Sequence, residues 1–472
     1  MKRTKIVCTI GPASESVELI RQLAEAGMNV ARLNFSHGTK EDHARRIEYI
    51  RRVEGELGQP IAVLQDLPGP KLRTGSMPET VTLSPGRQFV FTTRDVPGSR
   101  DETNIPYPEL VRQAQPGQKI YVDDGQFEFQ IESVTATDIV TKVAIGGSLG
   151  ANKGFNMPGA KLDLPSVTDA DIKDLEFGLA NDVDWVAASF VRCACDLDPV
   201  REMIRKSGKP TRLIAKIEKS EAVEDIDAII EAADGIMVAR GDLGVEIPIE
   251  KVPEVQKMII RKCNDAGKPV ITATQMLDSM IRNRRPTRAE VTDVANAILD
   301  GTDATMLSGE TAIGQFPVDA VAMMSKIAIE AEDSLDYRRM WEERASAAAK
   351  TVTDAIALAT VDIVLDLDAA AIVTPTSSGT TARAVSKYRP AAPVIGAAMT
   401  TSTFRQLALS WGVYPLLIAT RRSTDEMIEE AVAGTIRAGL VKAGDTLVLT
   451  AGVPAGVPGS TNLIKVHKVG PA

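Results

Sequence analysis

The chain has 472 residues, of which 44% are apolar, 25% charged and 4% aromatic, and its formal net charge is −9. That length exceeds a single hydrophobic core, so roughly two to four domains are expected. An acidic chain without a long Lys/Arg run argues against nucleic acid as the main partner, and any anionic substrate must be drawn by local cations.

Residues Met1 to Lys5 lead directly into the strand-like Ile6–Ile10, without the apolar core of a signal peptide. No apolar run reaches roughly 18 residues, so neither a membrane span nor a membrane partner is expected, and the predicted location is cytoplasmic. The cysteines are Cys8, Cys193, Cys195 and Cys263, and the histidines are His37, His43 and His467. A lone C-x-C with so few histidines does not suit zinc, and reduced, inert thiols are expected.

In chain order, residues 4–10 read as a strand, 15–26 as a helix stopped at Gly27, 28–35 as a strand, 41–56 as a helix and 61–66 as a strand. Such alternation implies parallel strands with crossover helices. From about Pro68 to Pro165 short alternating runs such as Gln88–Phe91, Lys119–Val122 and Phe127–Ile131 are punctuated by Gly, Pro, Asp and Asn, which predicts a separate small β domain or barrel. Strand-like runs then end near Ser189, Lys216, Val238, Thr274 and Leu307, with helices expected at 169–180, 197–206, 221–232, 252–266 and 287–300. Three strands before the insert and five after it fit a (β/α)₈ barrel with a small β-barrel domain inserted after strand 3. The segment 335–350 reads as a boundary. Beyond it, helices at 352–366, 379–388 and 402–410 alternate with strands at 370–374 and 393–396, and Leu447–Leu449 and Ile464–Val466 close an open α/β domain. The expected division is 1–67 with 166–340 for the barrel, 68–165 for the insert, and 341–472 for the C-terminal domain.

In an eight-stranded barrel the site lies at the C-terminal strand ends. Polar groups gather there: Arg32, Asn34, Ser36 and His37 after strand 2, Asp66 after strand 3, Lys216 and Glu218 on strand 5, Gly241 and Asp242 after strand 6, Thr274 after strand 7. Lys216 and Glu218 are two residues apart and so face one side of their strand. Glu218 and Asp242 together could hold one hard divalent cation such as Mg²⁺, beside Lys216 and Arg32 for an anionic, phosphate-bearing ligand. Taken singly, each feature has a plainer explanation: a solvated Lys-x-Glu face, an Asp in a Gly-Asp-Leu-Gly turn, or local backbone caps at Asn34 and Ser36. The coincidence at successive strand ends carries the functional reading. No Walker-type or G-x-G-x-x-G loop is present, so a nucleotide must be held by side chains and the insert.

Lys5–Ser14, Ala31–Gly38, Ile236–Gly244, Ala273–Leu277, Arg285–Glu290 and Met306–Thr311 closely resemble the pyruvate kinase family, and the resemblance runs from Thr4 to the C-terminus. It implies Mg²⁺-dependent phosphoryl transfer from phosphoenolpyruvate to ADP, the last step of glycolysis, with Mn²⁺ as a possible substitute, and usually a homotetramer. Glu218 and Asp242 match the family's Mg²⁺ ligands, Lys216 the lysine that stabilises the phosphoryl group in flight, and Arg32 an arginine on the substrate phosphate. Thr274 and the backbone at Gly241 match the pyruvate and enolate contacts, with Thr274 and a water as the candidate proton donor. Asn34, His37, Arg73 and Lys153 match positions at or near the nucleotide.

Two departures are informative. Many members have Thr and Glu where this chain has Leu67 and Lys71, and in those members K⁺ is bound by the Asn, Ser, Asp and Thr positions that correspond to Asn34, Ser36, Asp66 and Leu67. An ammonium near Asn34, Ser36 and Asp66 would bring the charge that K⁺ otherwise supplies, so K⁺ independence is expected. Many relatives also carry a lysine where this chain has Ala170, which puts the ADP contacts in question. In the C-terminal domain, Thr376, Ser377, Ser378, Gly379, Thr380 and Thr381 sit between a strand and a helix and could cradle an effector phosphate, a sugar phosphate or nucleotide in some relatives, or simply cap the helix. The Gly/Pro-rich stretch 452–460 could close over such a ligand.

Two other functions compete. A Mg²⁺-dependent enolate-stabilising barrel lyase or aldolase would share Glu218, Asp242 and Arg32 but gives no reason for the insert or Arg73. A non-catalytic metabolite sensor should have lost Lys216, Glu218 or Asp242, and all three are present.

Overall fold

The computed structural model describes residues 1–160, 165–345, 351–421, 423–453 and 461–470. Eight parallel strands, Lys5–Thr9, Val30–Asn34, Ala62–Asp66, Trp185–Ala188, Arg212–Ile217, Gly235–Ala239, Val270–Ala273 and Ala304–Leu307, close into a barrel in sequential order. Most of their residues are buried, as strands covered by crossover helices require. Val7, Leu64, Ile214, Met237 and Met306 belong to an inner cluster within the ring, while Ile6, Cys8, Leu33 and Val63 pack outward against the helices.

The helices begin where the sequence offers caps. Ser16 accepts from the Leu19 amide at the start of Val17–Ala26, which ends at Gly27 with φ of 121°. Thr39 with Asp42 forms a capping box on Lys40–Leu57, and Thr168 with Asp171 and Thr287 with Glu290 repeat it on Asp169–Ala180 and Arg288–Leu299. The expected helix at 221–232 is two, Ser220–Glu224 and Ile226–Ala232. Pro317–Asp333, the strand Val413–Leu417 and the helix Thr424–Arg437 complete elements that the expected series passes over.

Between the third and fourth barrel strands the chain forms a six-stranded sheet (Phe155–Asn156, Lys119–Val122, Phe127–Val134, Asp138–Ile145, Gln88–Thr92, Glu102–Asn104) and a two-stranded sheet of Val81–Leu83 with Gly147–Leu149. Both share one core, in which Phe89, Phe91 and Phe129 meet with centroids 4.9–5.7 Å apart. The C-terminal sheet runs Val413–Leu417, Val394–Ala398, Ala371–Thr376, Thr446–Gly452, Thr461–Lys468, with only the last strand antiparallel. It docks on the closed base of the barrel. The buried Arg389 pairs with Asp303 at 3.2 Å, and Lys5 Nζ donates to the Val413 carbonyl at 2.6 Å. Among the described residues no helix is long and apolar enough to cross a membrane.

His43 pins the turn after the second barrel strand. Its ring stacks on Phe35 at 4.0 Å and Nε2 lies 3.1 Å from the His37 carbonyl, while Nδ1 is buried without a partner. Burial, with Arg46 close by, lowers its pKa to about 4. The unfolded chain therefore binds the extra proton more readily across the window from about 4 to the ordinary 6.5, so stability rises with pH there and is lost as pH falls toward 4. His43→Gln should flatten this slope by up to one proton, about 1.4 kcal/mol per pH unit. Urea midpoints of both proteins across that window would read it, and an unchanged slope in the variant would refute the role of His43.

Candidate active site

The mouth of the barrel is built from the ends of strands whose bodies are fully packed. Lys216 and Glu218 leave the fifth strand on one side, as the two-residue spacing requires, and their charged ends meet at 2.8 Å. Lys216 Nζ also lies 3.2 Å from Asp66, and Arg32 Nε lies 2.7 Å from the same carboxylate. Two cations and two carboxylates, from strands two, three and five, thus form one buried cluster.

Burial opposes the charges of Lys216, Asp66 and Glu218, and the neighbours overcome it at the first two. Lys216 is held above its ordinary pKa because Asp66 and Glu218 outweigh the cost of burial. Asp66 stays below the ordinary carboxylate value, since Lys216 and Arg32 overcome its burial. Glu218 moves the other way, raised by burial and by the charge of Asp242 against the pull of Lys216.

The fourth strand supplies two partners that the sequence patterns do not single out. Ser189 Oγ accepts from Lys216 Nζ at 2.6 Å and donates to the Leu67 carbonyl at 2.7 Å. The Phe190 amide, at a φ of 55°, donates to Glu218 at 2.6 Å. Strand-end position was the available signal for Ser189; the backbone donor at Phe190 had none.

Asp242 is not in a turn but in the first turn of a helix, Arg240–Glu246. The Gly241 amide donates to Thr274 Oγ1 at 2.9 Å, and that hydroxyl donates to the Ala273 carbonyl at 2.6 Å. Thr274 and Gln275 have φ of 69° and 54°. A β-branched residue in the left-handed region is strained, and Arg240 holds it there by donating to the Thr274 carbonyl at 2.7 Å while pairing with Asp293 at 2.7 Å.

The expected place of Lys71 beside Asn34, Ser36 and Asp66 is overturned. Its ammonium pairs with Asp242 at 2.9 Å and with Asp124 of the insert at 3.1 Å. Asp66 already serves two cations, whereas Asp242 and Asp124 offer carboxylates at the edge where the chain enters the insert. Asn34 instead accepts from the Ser36 amide at 3.1 Å, Ser36 is exposed, and Leu67 is buried. Asn156 and Lys219 join on Glu246 at 2.8 and 2.7 Å, a second link between insert and barrel. Between the two lies a cleft of ≈ 920 Å³ lined by Gly241, Asp242 and Thr274 on the barrel side and Lys119, Tyr121 and Asp124 on the insert side.

Of the nucleotide candidates, Arg73 and His37 are exposed and Lys153 half-buried. Arg73 donates to the Asn152 carbonyl at 3.1 Å and Lys153 pairs with Asp123 at 2.8 Å, so these two lie together on the insert. Ala170 is exposed in the first turn of its helix.

The sequence profile for the pyruvate kinase barrel domain matches residues 1–321, and that for the pyruvate kinase alpha/beta domain matches residues 354–467. The chain belongs to the pyruvate kinase family. It is 52% identical to the pyruvate kinase of Geobacillus stearothermophilus over 99% of this chain and 80% of that protein. It is 46% identical to that of Clostridium acetobutylicum over 99% of this chain and 100% of the other. Pyruvate kinases are phosphotransferases.

The C-X-C pair departs from expectation. Cys193 and Cys195, three residues beyond Phe190 in the loop after the fourth strand, form a disulfide rather than two thiols. Cys8 and Cys263 are buried and free, as expected. Proximity on one short loop brings the first two sulfurs together, and the loop faces solvent instead of the core.

Asp66 is the hinge of the charged cluster. Asp66→Asn would leave Arg32 and Lys216 buried against a single carboxylate. A loss of about 3–5 kcal/mol is expected, measured by urea unfolding, and a change within the error of that measurement would refute its central place.

Proposed function

We propose that the chain transfers the phosphoryl group of phosphoenolpyruvate to ADP, giving pyruvate and ATP. The buried Arg32–Asp66–Lys216–Glu218 cluster beside the cleft carries this reading, because phosphoryl transfer is mostly positioning and charge stabilisation. The P–O bond to the enol oxygen breaks, one to the terminal oxygen of ADP forms, and the enolate is protonated at carbon. Lys216 stabilises the phosphoryl group between the two oxygens, and Arg32 orients the phosphate. The Gly241 backbone and Thr274 hold the carboxylate and enolate side. The Thr274 hydroxyl proton is engaged by Ala273, so a water lodged against Thr274 suits the donor role better than Thr274 itself.

Glu218 and Asp242 suit Mg²⁺ or Mn²⁺. They are hard oxygen donors, and Asp242 is near enough to raise the pKa of Glu218, a repulsion that a divalent cation relieves. When bound there, the ion neutralises charge on the phosphoryl oxygens. His37, Arg73 and Lys153 are assigned to the nucleotide, which the insert, residues 68–165, covers as a lid. We assign 1–67 with 166–340 to the catalytic domain and 341–472 to the regulatory domain.

Lys71 supports activity without K⁺. Burial disfavours its charge, yet Asp242 and Asp124 more than compensate, so a fixed cation stands at the metal side of the mouth. For the loop Thr376–Thr381, an effector phosphate remains the proposed ligand. Its internal bonds, Gly379 amide to Thr376 Oγ1 at 2.9 Å and Thr381 to Thr461 at 2.8 Å, equally serve as a cap. Residues 454–460, the rest of the loop expected to close over it, lie outside the described residues. A cytoplasmic homotetramer fits the family resemblance.

Pyruvate formation from phosphoenolpyruvate and ADP with Mg²⁺, in buffer free of K⁺ and NH₄⁺, tests the proposal. Robust turnover that added K⁺ barely changes is expected. Turnover only with K⁺ would remove the role of Lys71, and none in either buffer would remove the function. Lys216→Met should lower kcat by roughly 10²–10³-fold or more with phosphoenolpyruvate binding, followed by calorimetry, largely kept. Lys71→Glu should make turnover K⁺-dependent.

A further inference from the structure

Of the four cysteines, Cys8 and Cys263 are fully buried, and burial raises both thiol pKa values. A buried thiol with a raised pKa is a poor nucleophile. Cys195 is exposed and Cys193 half-buried, and the two are bridged with Cα atoms 5.3 Å apart. A bridge across so short a loop restricts the unfolded chain little, and an exposed bridge is the labile kind.

The loop around the bridge is anchored on both sides. Arg192 and Asp196, which flank it, are joined by Arg192 N–H to Asp196 at 2.9 Å and by two guanidinium bonds of 3.0 Å. The Ala194 amide, between the two sulfurs, donates to Asp225 at 2.9 Å. Immediately upstream, Ser189 holds Lys216 and the Phe190 amide holds Glu218. Phe190 sits in the left-handed region, a conformation for a bulky residue that only its surroundings can maintain.

We propose that Cys193–Cys195 is a reversible dithiol/disulfide modification site whose state is transmitted through Arg192 and Phe190 to the Glu218 carboxylate. A small dithiol reductant attacks, as its thiolate, the exposed Cys195 Sγ. The Sγ–Sγ bond breaks, Cys193 leaves as thiolate and takes a proton, and the second thiol of the reductant resolves the mixed disulfide. Two electrons and two protons pass to the protein, and the reductant becomes a cyclic disulfide. An oxidised dithiol of the same class runs the exchange backward. Opening the bridge leaves the Ala194–Asp225 and Arg192–Asp196 hydrogen bonds in place but removes the covalent tie between them, which loosens the support of the Phe190 amide, a positioning group for a carboxylate oxygen. The consequence for metal binding rests on the assignment of Glu218 under the proposed function; the thiol chemistry does not.

The full chain, oxidised or treated with dithiothreitol and desalted, would be alkylated in the native state and mapped by peptide mass. Labels on Cys193 and Cys195 alone, and only after reduction, are expected. Labelling of both before reduction, or failure of reduction to expose them, would overturn the site. Mn²⁺ titrated calorimetrically into both forms should show affinities differing by roughly 10-fold, the scale of outer-shell effects on a metal ligand, with thermal midpoints alike. The double variant Cys193→Ser with Cys195→Ser should give one affinity whatever the treatment. Equal Mn²⁺ affinities in the oxidised and reduced wild type would overturn the coupling, even if pyruvate formation proceeds normally. Absence of turnover with the expected labelling and affinity shift would instead count against the functional assignment alone.

Discussion

Everything at the mouth of the barrel depends on keeping four charges out of water in one place. Arg32, Asp66, Lys216 and Glu218 are individually costly to bury, and only their mutual pairing makes the cluster tolerable. Asp66 contacts both cations and Lys216 both carboxylates, so these two hold the cluster together. The closed ring of strands fixes the four anchor points, so the charges cannot drift apart to seek solvent. The result is a preorganised electrostatic cluster, the kind of arrangement from which catalysis of phosphoryl transfer draws its advantage.

The insert meets this site through charge as well. Lys71 bridges Asp242 on the barrel and Asp124 on the insert, and Glu246 gathers Asn156 and Lys219. The Lys71 pairs lie on the cleft side and are partly exposed, whereas Glu246 and Asn156 are buried. Of the two links, the solvent-reached Lys71 pairs are the weaker, so insert and barrel are joined by one buried and one exposed polar contact.

Much of this was legible in the sequence because barrel topology converts linear position into place. Eight strand-like runs put Arg32, Asp66, Lys216, Glu218, Asp242 and Thr274 at strand ends; the first four meet in one cluster, and Gly241 meets Thr274. The position of Lys71 was not legible: a long flexible side chain goes to whichever carboxylate is least satisfied, and that depends on Asp66 being already doubly paired. The Phe190 amide escaped notice because backbone donors carry no residue signature. The pairing of Cys193 with Cys195 is not in the composition, which speaks for the compartment, whereas pairing depends on local exposure and the bend of one loop. The turn that Gly-Asp-Leu-Gly offers as the plainer reading of Asp242 is instead the helix Arg240–Glu246, where the docking of Leu243 into the core overrides the turn propensity.

The fifth strand ties the mouth of the barrel to the opposite end of the molecule. Arg212 begins it, pairing with Asp234 at 3.2 Å and donating to the Ser378 carbonyl at 2.8 Å, while Gln406 accepts from its Nε at 2.8 Å. Lys216 lies four residues on, roughly 13 Å along a strand, and emerges at the mouth. Both ends are therefore parts of one extended segment hydrogen-bonded on both sides. Packed strands neither compress nor bend at little cost, so the docking of the C-terminal sheet and the placement of Lys216 and Glu218 obey a single register. A fold that relied on loops for either end would lose that constraint, and the charged cluster would lose its fixed geometry.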